Sequence, residues 1–277
     1  MPDISVPAPA RQRSHGIVRL RHGPGGVDDL FESGPSRLRF PRSHGATPEA
    51  ILVNTAGGVA CGDRFELSVA LDAGARLVVS TTAAEKIYRS DGPVSRIDNR
   101  LDLAAGARLD WLPQETILYD ASRLRRRFEA DLAPDAALLV VEIVAFGRTA
   151  RGERLAEGLF EDVWRVRRDG RLVYADALRL DGAIADALNR PAIGGGAAAC
   201  ATIIDASPGA ESRLDEARAL LERAGANGAG GVEAGASAWN GHLVLRGLAP
   251  DVSALRRVLV RVLEAYRGTP LPRVWQG

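Results

Sequence analysis

"LDAGARLVV", residues 71–79, returns twice in looser form, as "LAAGARLDW" at 103–111 and "LAPDAALLV" at 132–140. Each copy is a leucine, a turn of small residues, and an alternating apolar run. Alternation marks a strand with one buried face. The copies begin 32 and 29 residues apart, a nearly constant period. Strand–turn–strand units at such a period predict stacked β-hairpins in a β-helix-like or sandwich-like arrangement. The intervening segments "FELSVAL" (65–71), "SRIDNRLDL" (95–103) and "RRFEADL" (126–132) also read as strands. A further hairpin is expected over 163–180, turning at Asp169-Gly170.

The pattern changes near residue 195. In "ESRLDEARALLERA" (211–224), Leu214, Ala217, Leu220 and Leu221 share one helical face. The stretch 225–238 reads as a flexible glycine-rich connection and 239–249 as a strand. Pro250 and Asp251 open a last helix whose apolar stripe is Leu255, Val258, Leu259, Val262, Leu263 and Tyr266. The expected class is mainly β (α+β), with two helices in the C-terminal third and no βαβ alternation. Residues 1–277 read as a single domain: a β stack over 1–194 and a strand-helix-strand-helix subregion over 195–277.

"NTAGGVACGD" (54–63) poses a question of chemistry, because Gly57 and Gly62 have the spacing of a phosphate-binding P-loop. Such a loop continues with Lys and Ser/Thr. Here Asp63 and Arg64 follow, then the strand pattern of Phe65, Leu67 and Val69 instead of a helix. The glycines therefore read as a sharp turn needing positive φ. Cys61, inside that loop, reads as a small buried filler.

The net charge of +1 gives no field for nucleic acid or an anionic membrane. Arg125-Arg126-Arg127 reads as a solvated edge. No apolar leader and no run of eighteen apolar residues is seen, and two cysteines fit a reducing compartment, so a soluble cytoplasmic protein is expected. The chain has 35 arginines and one lysine, Lys86, which marks a place where the guanidinium fork does not fit if the side chain enters a narrow polar passage.

Among four histidines (His15, His22, His44 and His242) none pairs in sequence with a nucleophile, and no zinc-type spacing occurs. Five carboxylates lie in or beside strand patterns: Asp63, Glu85, Glu115, Glu142 and Asp176. Oxygen ligands hold transition metals weakly, which excludes storage and leaves passage open. Two stretches concentrate polar groups at strand ends, "TTAAEKIYRS" (81–90) and "WLPQETILYD" (111–120). The first carries Lys86, Tyr88 and Arg89 beside Glu85. The second carries Gln114 beside Glu115, at the break made by Pro113.

These stretches resemble segments of the urease accessory protein UreD (UreH) family. "RSHG" (13–16), "NTAGGVACGD", "TTAAEKIYRS", "WLPQETILYD", "FGRTARGE" (146–153) and "LPRVWQ" (271–276) stand in the family's order over nearly the whole chain. Cys61 departs from the pattern, where glycine or another small residue is expected. The resemblance implies a non-enzymatic scaffold that joins UreF and the GTPase UreG, docks on urease apoprotein, and helps deliver nickel through an internal passage. It implies a β-helix-like stack with a pair of helices, nickel only in transit, and GTP bound only by UreG. The motif residues Asn54, Gly57, Gly58, Gly62, Arg148, Glu153 and Trp275 become passage or interface candidates, with Trp275 and the last helix proposed for the UreF contact. Two other readings stay open: a β-stack enzyme using Glu85, Lys86 and Glu115 as acid–base groups, and a β adaptor that binds protein only.

Overall fold

The structure is a computed structural model that describes residues 13–42, 47–228 and 230–276; the first twelve residues and His44 lie outside them. In chain order the first strands are β1 (His15–Gly23), β2 (Gly26–Ser33), β3 (Ser36–Arg39), β4 (Glu49–Asn54), β5 (Arg64–Leu71) and β6 (Arg76–Thr81). β7 (Glu85–Ile87), β8 (Ser95–Leu103), β9 (Arg108–Leu112), β10 (Thr116–Leu118), β11 (Arg123–Leu132) and β12 (Ala137–Phe146) complete the repeating region. β13 (Glu157–Arg168), β14 (Arg171–Ala183), β15 (Ala199–Asp205), β16 (Glu233–Trp239) and β17 (His242–Ala249) follow, with helices α1 (Ile184–Leu188), α2 (Leu214–Arg223) and α3 (Val252–Arg267).

The strands form two sheets. The first runs β14-β13-β11-β8-β5-β1-β2, and the second runs β16-β17-β15-β12-β9-β6-β4-β3, with β10 and β7 branching from β12. The mainly-β class, the solenoid-like stacking and the two late helices are as expected. Within each repeat, however, the two strands belong to different sheets and do not pair as a hairpin. Pairing runs between repeats and is parallel. Leu71 lies opposite Leu103 and Leu103 opposite Leu132, while Val79 lies opposite Trp111 and Trp111 opposite Val140. Equivalent letters of the three sequence copies are thus hydrogen-bonded neighbours, and each period is one coil. The small-residue turns stack as well, with the Gly106 amide donating to Asp135 Oδ1 at 2.9 Å.

True hairpins flank the coils. β13 and β14 are antiparallel and turn at Asp169-Gly170, both with positive φ. β16 and β17 turn at Asn240-Gly241, again both positive. Residues 233–239 are therefore a strand, where a flexible connection was expected. Sequence periodicity misses it because Ala, Gly and Ser fill the strand, but an Asn-Gly pair is a direct hairpin signal.

Three apolar clusters result. One fills the space between the sheets, around Leu71, Leu77, Leu103, Leu109, Trp111, Phe128 and Trp164. A second lies between the second sheet and α2 and α3. A third, with Val59, Phe65, Ile87, Leu118, Leu124, Val144 and Phe160, closes the end of the stack near the 54–63 loop. α3 is capped by Asp251, which accepts from the Ala254 amide at 2.9 Å, and buries the six stripe residues expected of it. No described helix is long and apolar enough to cross a membrane.

Candidate functional site

Strand parity builds the site. On β11 the side chains of Leu124, Arg126, Phe128 and Ala130 point inward, and on β13 those of Phe160, Asp162, Trp164 and Val166 do. On β12 the inter-sheet row is Leu138, Val140, Glu142 and Val144. In all three strands the charged member falls between the same two apolar clusters. Arg126, Asp162 and Glu142 therefore make one polar layer, with relative exposures of 4%, 6% and 5%.

The layer is tightly bonded. Arg126 Nε and Nη2 donate to the two oxygens of Asp162 at 2.9 and 2.7 Å. Its Nη1 donates to Glu142 Oε2 at 2.5 Å and to Thr116 Oγ1 at 3.2 Å. Trp111 Nε1 donates to Glu142 Oε1 at 2.9 Å. Burial pulls the guanidinium pKa down, but Asp162 and Glu142 outweigh it and leave it above its ordinary value. Burial pushes Glu142 upward against the pull of Arg126. Arg126 is thus not a solvated edge, and the expectation for the triplet is corrected: Arg125 and Arg127 are exposed, Arg126 is core.

This layer opens on a cavity of about 720 Å³ between β13–β14 of one sheet and β15, β17 and β16 of the other. Its far wall carries Asp176, bonded to Arg246 Nη2 at 2.6 Å and to the Tyr174 hydroxyl at 3.2 Å. Cys200 lines the cavity too, its thiol pushed up to about 12, first by burial and then by Asp162. Glu142 and Asp176 are the two sequence candidates in this wall. Arg126, Asp162 and Arg246 were missed, and strand parity was the signal that could have found the first two.

The other three carboxylates have different employment. Asp63 is buried and accepts from the Ser14 and Ala60 amides at 2.7 and 2.8 Å, so it locks the loop and does not line this cavity. Glu115 is paired with Arg256 at 3.2 Å. Glu85 accepts from Asn54 Nδ2 at 3.1 and 3.3 Å, and its pKa is raised to about 7 by burial, against the Asn54 bonds. Among the described residues no group of three or more His, Cys, Asp or Glu is placed to hold a metal ion.

The motif residues gather at one edge of the stack. Gly57, Gly58 and Gly62 have φ of 77°, 153° and 84°, as the turn requires. A Cβ on Gly58 would lie 2.4 Å from the Tyr88 ring. Cys61 is buried and the loop keeps its tight form. Tyr88 donates to Gly57 O at 3.1 Å and meets Tyr119 edge-on at 5.2 Å. Arg148 lies 4.3 Å over Tyr119 and is paired with Glu153, whose carboxyl it holds below the ordinary range. Lys86 and Arg89 are exposed, so Lys86 enters no narrow passage. Glu85, Lys86 and Glu115 do not line the cavity; β7 and β10 set them near one another instead, with the Glu85 amide donating to Glu115 O at 2.9 Å.

Gln114 and Trp275 belong elsewhere. Gln114 Nε2 donates to Val274 O at 3.1 Å, and Trp275 Nε1 to Leu112 O at 2.9 Å. Trp275 is 3% exposed beneath Arg256, so it anchors the C-terminal segment internally and is not an interface residue.

A solenoid-like β scaffold with a charged, solvent-open cavity and a motif-bearing edge is the class that this geometry defines. The chain belongs to the UreD urease accessory protein family, whose model matches residues 14–276. It is 64% identical over 276 residues to urease accessory protein UreD 1 of Methylobacterium radiotolerans, covering 98% of this chain and 94% of that one. It is 61% identical over 280 residues to UreD 2 of Methylorubrum populi (98% and 93% covered), and 55% identical over 272 residues to UreD of Azorhizobium caulinodans (97% and 98%). Family membership gives the chain a role in urease maturation.

Proposed function

We propose that the chain is a cytoplasmic, non-catalytic scaffold, working as one domain, that joins UreF and the GTPase UreG on urease apoprotein and passes nickel toward its active site. The observation that carries this reading is the cavity walled by Glu142, Asp162 and Asp176. A path for a dication needs acceptor oxygens in a low-dielectric interior, and it must release what it binds. Each wall carboxylate already has an arginine partner, which favours transit over storage. GTP belongs to UreG, since the 54–63 loop turns into a strand and spends Asp63 on its own backbone.

The test is urease activity in cells carrying Glu142→Gln or Asp176→Asn, with a UreF pull-down as control. Lowered activation with the complex intact is expected. Full activation by both variants rejects the passage while leaving the scaffold role.

A further inference from the structure

Strand register sets arginines in one row on the outer face of the first sheet. Arg64 of β5 lies opposite Arg96 of β8, and Arg96 opposite Arg125 of β11. Arg125 lies opposite Glu161 of β13, and Glu161 opposite Arg179 of β14. All four arginines are exposed. Neighbouring strands stand about 4.8 Å apart, so Arg64, Arg96 and Arg125 rise side by side from backbones at that spacing. Like charges directly opposite one another destabilise a sheet.

The rest of this face avoids the conflict. The next rows along the strands mix signs: Glu66, Asp98 and Arg127 stand side by side, then Ser68, Arg100 and Glu129. Arg100 pairs with Asp102 and Asp131, Arg21 with Asp72, and His15 with Glu66. In the arginine row, Arg125 and Arg179 share the one carboxylate of Glu161, at 3.5 and 3.1 Å. Among the described residues no carboxylate pairs with Arg64 or Arg96. The row borders the motif edge. Arg64 opens β5 directly after the 54–63 loop, and Arg96 follows the segment that exposes Lys86, Tyr88 and Arg89.

We propose that the row Arg64–Arg96–Arg125 is a docking site for an acidic segment of a protein partner. A partner's carboxylates relieve a repulsion that the fold leaves uncompensated, and arginine forks take carboxylates in paired bonds. The three side chains are rooted over about 10 Å, which accommodates two carboxylates of an extended segment, whose same-face residues recur every 6.8 Å or about that. A nucleic acid fits less well. The net charge of +1 supplies no long-range field, and Glu66 and Asp98 in the adjoining row repel a continuous phosphate backbone. The docking site is independent of the nickel passage and stands whether or not that reading does.

The experiment measures binding of a short poly-L-glutamate to the purified full chain at low salt, with poly-dT of equal charge as the competing class and thermal melting alongside. Arg64→Gln/Arg96→Gln/Arg125→Gln should bind poly-L-glutamate at least about tenfold more weakly than the unaltered chain. The control is Arg76→Gln/Arg257→Gln/Arg273→Gln, three exposed arginines borne by the second sheet, α3 and the C-terminal tail, and it should change binding less than about twofold. Glu161→Gln removes the one carboxylate of the row and should tighten binding by about twofold. Arg96→Gln relieves the crowding at the middle of the row and should melt no lower than the unaltered chain. Unchanged binding in the row variant, equal weakening in the control, or tighter binding of poly-dT than of poly-L-glutamate overturns the docking site. So does a lowered melting temperature for Arg96→Gln, because the arginine would then be held by its own fold.

Discussion

In the polar layer, ionisable side chains meet one another; at the motif edge they mostly meet backbone, amides or rings. Arg126 holds Asp162 and Glu142 directly. Asp63 holds the amides of Ser14 and Ala60, and Asp120 holds those of Ala156 and Glu157. The difference follows from where each sits. Coil interiors offer no free backbone donors, because the parallel ladders consume them, so a charge placed there needs a charged partner. Loops at the stack's edge have spare amides, and a short carboxylate satisfies them. The recognisable motifs thus bond mostly to backbone, and the buried charge cluster lies in strands whose letters look ordinary.

The sharpest break of this comparison is Arg126→Leu. It leaves two carboxylates buried without a counter-charge and should cost about 3–5 kcal/mol in urea denaturation. A loss under about 1 kcal/mol would show that water reaches the layer and screens it. At the edge, Asp63→Ala strands two amides and should cost about 1–3 kcal/mol, with nickel affinity unchanged. An altered nickel affinity would make Asp63 part of the proposed nickel passage.

The smallest effect belongs to Glu85. Its folded pKa, about 7, stands above the ordinary 4.5 because of burial. The folded state therefore holds the proton more tightly than the unfolded state. The resulting stability is fully present below about pH 4.5 and is lost as pH rises through 7. Relative to the unaltered chain, Glu85→Gln should remove about 1–2 kcal/mol of decline over that window, measured by melting across pH. Parallel pH profiles for both chains would mean that Glu85 is hydrated.

The fold was legible where the coil repeats itself. Leu71, Leu103 and Leu132 stack because a parallel coil sets equal letters side by side, which a period search detects. β16 was hidden because small residues carry no alternation, although Asn240-Gly241 marked its hairpin. In the site, Glu142 and Asp176 stood out as carboxylates in strand patterns, and both line the cavity. Arg126 was lost by reading "RRR" as composition; its inward position between Leu124 and Phe128 was already fixed by parity. Asp162 sits in the same way between Phe160 and Trp164. Trp275 misled for the opposite reason, since nothing local tells a tail aromatic that docks on its own chain from one that awaits a partner.

The exposed position of Lys86 gives the molecule a practical property. With 35 arginines around it and no second lysine, it is the one side-chain amine of the chain, and it stands at the motif edge beside Tyr88. A reagent selective for primary amines that is silent toward guanidinium will tag this one side chain, apart from the α-amino group. A short bifunctional cross-linker would then report, through the mass of a single joined peptide, which neighbour covers that edge when the maturation complex assembles. The arginine-rich composition has in effect left one chemical address on the surface, and it is attached to the segment whose partner most needs naming.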